Sequence, residues 1–139
     1  MSKDWVNDIS EMHEKYGVHD WVKTQVEAGN AEVLREFLQF RLGCLSEELQ
    51  ETYDAVKAND PEEIVDGLID LCVFAIGTLD IFGVNAHKAW DAVYEANMNK
   101  QVGQKATRPN RFGLPDLIKP EDWQAPSHEH NHGILHGIQ

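Results

Sequence analysis

The sequence predicts an all-α protein of four to five helices. Apolar residues recur every third or fourth position through residues 31–58, and a nearly continuous apolar helix follows Pro61. No stretch alternates with the period of two that marks a half-buried strand. One helical domain is expected over residues 1–102, followed by an irregular arm over 103–139, where four of the five prolines fall.

The first helix is expected over Asp4–Lys15, with Trp5, Ile9 and Met12 on one face and Tyr16-Gly17 as its stop. His19 to Val26 has the length for a further turn or two. Asn30 suits a helix N-cap and Glu32 its first turn, so a long helix should begin there and run to about Ala58. Leu34, Leu38, Leu42, Leu45, Leu49, Tyr53 and Val56 form its apolar stripe; Gly43 and Ser46 are the places where it could break. Asp60-Pro61 with Glu63 has the spacing of a capping box and opens a helix running to Gly83. Ile64, Val65, Leu68, Ile69, Leu71, Cys72, Val73, Phe74, Ile76 and Leu79 nearly encircle that helix, which should therefore be central and buried. Asn85 is placed to cap a last helix ending near Lys100, with Trp90, Val93 and Asn97 on one face.

With 139 residues, 42% of them hydrophobic, the chain has material for one core. A net charge of −12 disfavours general binding to nucleic acid or anionic membrane, both polyanions. Residues 1–8 lack the apolar run of a signal peptide, and Leu71–Leu79 is far too short to span a bilayer, so a cytoplasmic location is expected. Cys44 and Cys72 lie among apolar helical neighbours and read as reduced core residues.

The polar exceptions in these helices carry the chemistry. Glu48 and Glu51 share one helical face, as do Glu63, Asp66 and Asp70, so antiparallel packing of the two helices would bring the acids together. Carboxylates so placed repel one another and lose hydration unless a cation neutralises them. Oxygen-only donors suit Mg2+, with Mn2+ as a substitute, which keeps positions for water and phosphate oxygens. Glu63 also has a capping explanation, and Glu47, Glu48 and Glu51 would read as a solvated patch if exposed. Asp66 and Asp70 resist that reading, because aspartate is a poor helix former and large apolar residues flank both. A di-iron bundle would need helical Glu-x-x-His pairs, which these helices lack.

Lys100, Lys105, Arg108 and Arg111 form a local cationic run in an acidic chain. Lys100, with the amide of Asn97, is the expected phosphate contact; for Lys105 and Arg108 a solvated loop explains the charge as well. Arg41 lies about two turns before Glu48 and is expected either to pair with the acids or to meet the substrate. Phe37 reads first as a core aromatic, and the tail Ser127-His128-Glu129-His130-Asn131-His132 as solvated rather than metal-binding.

Together, Glu47-Glu48-Leu49-Gln50-Glu51 and Glu62-Glu63-Ile64-Val65-Asp66-Gly67-Leu68-Ile69-Asp70-Leu71 resemble the MazG-like all-α nucleoside triphosphate pyrophosphohydrolases, a superfamily that also includes dimeric dUTPases and phosphoribosyl-ATP pyrophosphatases. The likeness begins at Met12-His13-Glu14-Lys15-Tyr16-Gly17 and extends to Ala96-Asn97-Met98-Asn99-Lys100, which is similar to phage-type members. It implies a bundle completed by homo-oligomerisation, as a homodimer or homotetramer. It also implies cleavage of (deoxy)nucleoside triphosphates between the α and β phosphates, giving the monophosphate and pyrophosphate. Metal ligands carry over to Glu48, Glu51, Glu63 and Asp66. Glu47 becomes the candidate for a second metal or for activating water, and Asp70 an outer ligand or hydrogen-bond partner. In the resembling enzymes the segment holding His13 and Trp21 lies near the base. The alternatives are a dUTPase or dCTPase of the same fold, or a non-catalytic acidic helical adaptor.

Overall fold

In a computed structural model, which describes residues 1–107, 111–113 and 116–138, the chain is mostly helical. The helices are α1 (Trp5–Lys15), α2 (Val18–Glu27), α3 (Ala31–Lys57), α4 (Pro61–Ile81) and α5 (Ala86–Met98). Two three-residue strands, β1 (Gln101–Gly103) and β2 (Asp116–Ile118), pair antiparallel, with Val102 opposite Leu117. A short 3-10 helix covers Gly133–Gly137. The expected all-α architecture is therefore present, and the hairpin corrects the expectation of no strands: three-residue segments are too short to show a period.

Two helix starts follow the capping chemistry. Asp4 accepts the Asn7 backbone N–H (3.1 Å) ahead of α1, and Asp60 accepts that of Glu63 (3.2 Å) ahead of α4. Asn30 precedes α3 without a side-chain cap; its amide nitrogen donates to Gln25 Oε1 (2.8 Å). Gly43 and Ser46 do not interrupt α3, whose 27 residues are continuous. No single helix among the described residues is long and apolar enough to cross a membrane.

The chain divides into two compact units, Met1–Ala86 with His132–Gln139, and His87–Asn131. Neither boundary coincides with the composition shift at residue 103. In the first unit, the contacts of Arg41 with Thr78 and of Thr52 with Gly67 show α3 and α4 packing antiparallel, and Leu34 and Ile81 share one core cluster. The core lies where α3 begins and α4 ends: Val22, Leu34, Ile81 and Phe82 close around Ile138. Phe37 packs against this core and on Trp21, with ring centroids 4.8 Å apart, which is the core role expected of it.

Residues 133–138 are part of that core. Ile134 N–H donates to Phe82 O (2.8 Å), and Arg35 Nη1 donates to Ile138 O (2.8 Å). Gly133, at φ +54°, passes so close to Phe82 O that any Cβ there would collide with it. The histidine segment before it is ordered as well, since Asn131 is buried and its N–H bonds His128 O (2.9 Å).

In the second unit Trp123 Nε1 donates to Ala96 O (2.7 Å), fixing the segment after β2 on α5. The ammonium groups of Lys100 and Lys119 lie 5.4 and 4.9 Å from the Trp123 ring centre.

Burial corrects the expectation of a central, fully covered α4. Val65, Leu68 and Ile69 are exposed, as are Leu42, Leu49, Tyr53 and Val56 of the α3 stripe. The buried residues here are small ones, Thr52 and Ala55 of α3 and Gly67 of α4. Close backbone approach uses small side chains, and the large apolar ones are left on the outside of the chain.

Candidate active site

The close approach of α3 and α4 sets the position of the acids. Thr52 Oγ1 donates back to Glu48 O (2.7 Å), one turn earlier in α3, and lies directly against Gly67. Glu48 and Glu51 therefore flank the contact from α3, and Asp66 and Asp70 flank it from α4. Glu48 and Asp70 are partly buried, whereas Glu47, Glu51, Glu63 and Asp66 are exposed. The expectation of aspartates enclosed by apolar side chains is thus corrected for Asp66: the face of α4 that α3 covers is centred on Gly67, and Asp66 stands beside it.

Electrostatics single out Glu48. Burial first, then the negative charges of Glu51, Asp70, Asp66 and Glu47, push its carboxyl above the usual carboxylate range. Four acids from two helices act on one carboxyl, an arrangement that costs free energy until a positive charge enters. The donor set is all oxygen, and such a set fits a hard divalent cation. Glu63 is not among the charges acting on Glu48; it lies a turn nearer the start of α4, with its N–H on the Asp60 cap. Glu47, which a helical wheel points away from Glu48, still contributes to the field there.

Arg41 is drawn to α4 rather than to the acids. Its Nε donates to Thr78 Oγ1 (3.2 Å) and Nη2 to Phe74 O (3.3 Å), with the guanidinium 4.8 Å from the Phe74 ring centre. Burial lowers its pKa, yet a guanidinium stays charged at neutral pH. Asn97, Lys100 and Lys105 belong to the second unit: Asn97 and Lys105 are exposed, and Lys100 is partly covered by Trp123. Arg108 lies outside the described residues.

A second polar group was not foreseen. His13 Nδ1 and His19 Nε2 lie 2.6 and 2.8 Å from the same oxygen, Asp80 Oδ2, and His19 Nδ1 lies 2.9 Å from Glu14 Oε2. The signal was present in Leu79-Asp80-Ile81, an acid inside an apolar helix, the same anomaly that marked Asp66 and Asp70.

Residues 18–97 match the family model described as phosphoribosyl-ATP pyrophosphohydrolase. The match spans more than half of the chain and includes all of the acids around Glu48, and the chain belongs to this family. It is thereby placed among the MazG-like all-α pyrophosphohydrolases, and membership implies pyrophosphohydrolase activity on a nucleotide substrate. No curated protein matches the chain.

Proposed function

We propose that the chain is a Mg2+-dependent pyrophosphohydrolase of (deoxy)nucleoside triphosphates, cleaving between the α and β phosphates to release the monophosphate and pyrophosphate. The observation that carries this reading is the acid field on Glu48, to which α3 and α4 both contribute. Glu48, Glu51, Asp66 and Asp70 would hold the cation, with Glu63 reaching in from the previous turn of α4. Bound there, a divalent cation supplies counter-charge to the phosphates and makes nearby water more acidic. Glu47, exposed beside the cluster, has a free carboxylate to accept a proton from the attacking water. The role this chemistry suits is control of the nucleotide pool. The exposed apolar stripes of α3 and α4 support a homo-oligomer.

The test measures turnover of each common ribo- and deoxynucleoside triphosphate and of phosphoribosyl-ATP with Mg2+, identifying the monophosphate and pyrophosphate produced. Glu48→Gln and Asp66→Asn are expected to lower kcat/KM about a hundredfold or more while the protein stays folded. Glu48→Gln is a clean probe. An acid held above its ordinary pKa weakens the fold as it ionises, so a neutral amide removes that repulsion and the metal-free variant should melt no lower than wild type. Wild-type turnover in both variants, or full activity in excess chelator, would refute the assignment. Turnover confined to dUTP or dCTP would identify the more specialised hydrolase of the same fold.

A further inference from the structure

We propose that His13, His19 and Asp80 form a second, chemically distinct metal site, one for zinc or a similar transition-metal ion, where α1, α2 and α4 meet. Among the described residues this is the one group of three or more His, Cys, Asp or Glu side chains whose ligand atoms all lie within 4.8 Å of one another. The carboxylates around Glu48 do not meet that condition.

The geometry points inward from three elements. His13 closes α1, His19 opens α2 and Asp80 lies in the last turn of α4. The two imidazoles stand edge to face, 81° apart with centroids 6.0 Å apart, so they flank a common point instead of stacking. Both present a nitrogen to Asp80 Oδ2, at 2.6 and 2.8 Å. Three lone-pair-bearing atoms converging in this way need protons or a cation between them. Tetrahedral zinc holds its N and O ligands about 3.3 Å apart, so an ion enters if the two contacts open by about 0.5–0.7 Å.

Glu14 supplies what a metal-binding histidine ordinarily has behind it. Its Oε2 lies 2.9 Å from His19 Nδ1; with an ion in place of the proton on Nε2, the neutral ring would donate its Nδ1–H to Glu14 and turn the Nε2 lone pair to the metal. Exposure is graded: the side chains of His13 and Asp80 are 13% and 15% exposed and His19 is 32% exposed, which leaves one open side for a water ligand. The nearby cation is Arg41, since a Cβ on Gly77 would meet both Arg41 Nη2 (2.7 Å) and His13 Cε1 (3.2 Å). Its guanidinium is committed to Thr78 and Phe74. With neutral imidazoles, Asp80 and Glu14 leave the group one negative charge in excess over Arg41. Asp80 lies ten residues beyond Asp70, about 15 Å along α4, so the two sites are separate. Donor chemistry sorts the ions, because imidazole nitrogen favours zinc and an all-oxygen set favours magnesium. A metal here would clasp α1 and α2 onto the end of α4.

The test titrates zinc into the chelator-stripped full chain by calorimetry, with millimolar Mg2+ present to fill the oxygen site. One zinc per chain and a raised melting temperature are expected. His19→Gln and Asp80→Asn should each weaken binding about tenfold or more and abolish the melting shift. His130→Gln with His132→Gln, and separately Glu48→Gln, should leave zinc binding at the wild-type level. If a variant fails to fold, 15N shifts of the wild-type imidazoles decide: zinc should move His13 Nδ1 and His19 Nε2, and not the tail histidines. Unchanged affinity in the His19 and Asp80 variants, or shifts confined to the tail rings, overturns the proposal.

Discussion

Asp80 is the residue on which two short contacts depend, from His13 (2.6 Å) and His19 (2.8 Å). Burial alone would raise its carboxyl, but hydrogen bonds from His13, His19 and Ser10 outweigh burial and hold it below its ordinary range. In return, hydrogen bonds to Asp80 and Glu14 raise His19 against its own partial burial. The lowered acid stabilises the fold above about pH 4 and loses that contribution as pH falls through its depressed pKa. The raised histidine contributes fully below about pH 6.5, and the contribution is lost as pH rises through its elevated pKa. Asp80→Asn, measured by urea unfolding with chelator present, should therefore cost about 1–2 kcal/mol near pH 5.5, less than a fully buried charged hydrogen bond because His19 is partly open to water. The difference from wild type should shrink near pH 8.5, and a pH-independent difference would show that the imidazoles are not the partners that matter. The residues around Glu48 were legible in the sequence because carboxylates repeated at helical spacing beside apolar residues are costly to a helix that holds no cation. The group around Asp80 was not, since it joins residues 13, 19 and 80, and no spacing rule links them.

The helices themselves were readable because period, caps and punctuation agreed: the long helix expected from residue 31 to about 58 is Ala31–Lys57, and Asp60-Pro61 opens α4. Which face each helix buries was less readable. Periodicity marks the large apolar residues, yet in the stretch where α3 meets α4 at Thr52 and Gly67 the buried residues are Thr52, Ala55 and Gly67, small ones that a hydrophobic pattern underweights. Gly67 is accordingly the position where the helix pair is least tolerant of change. A Cβ there would collide with Thr52 Oγ1, so Gly67→Ala should destabilise the protein by about 1–3 kcal/mol despite the better helix propensity of alanine. Adding Thr52→Ala removes the obstructing hydroxyl and should restore part of the loss, measured as a double-mutant cycle in denaturant. Strict additivity of the two substitutions would mean that the helices are not held apart at this point.

For the molecule as a whole, the uncovered side of the helix pair matters most. Leu42, Leu49, Tyr53 and Val56 recur along α3, and Val65, Leu68 and Ile69 along α4, all exposed. Stripes of this size on a water-facing helix pair are what association between copies would cover. Light scattering on the wild-type protein should give a mass of at least two chains, and Leu68→Glu should shift it toward one; a monomer at every concentration would rule out the proposed assembly. The sequence signalled an irregular segment after residue 103 through its prolines, but not that residues 132–138 return to pack on Phe82, because a few apolar residues near a histidine run carry no period. That return has a consequence for biogenesis. During synthesis α1 to α4 leave the ribosome long before Ile138, and their shared interior stays open at Phe82 until residues 134–138 arrive. Vectorial folding can assemble these helices early, but it can seal them only once Ile138 has followed.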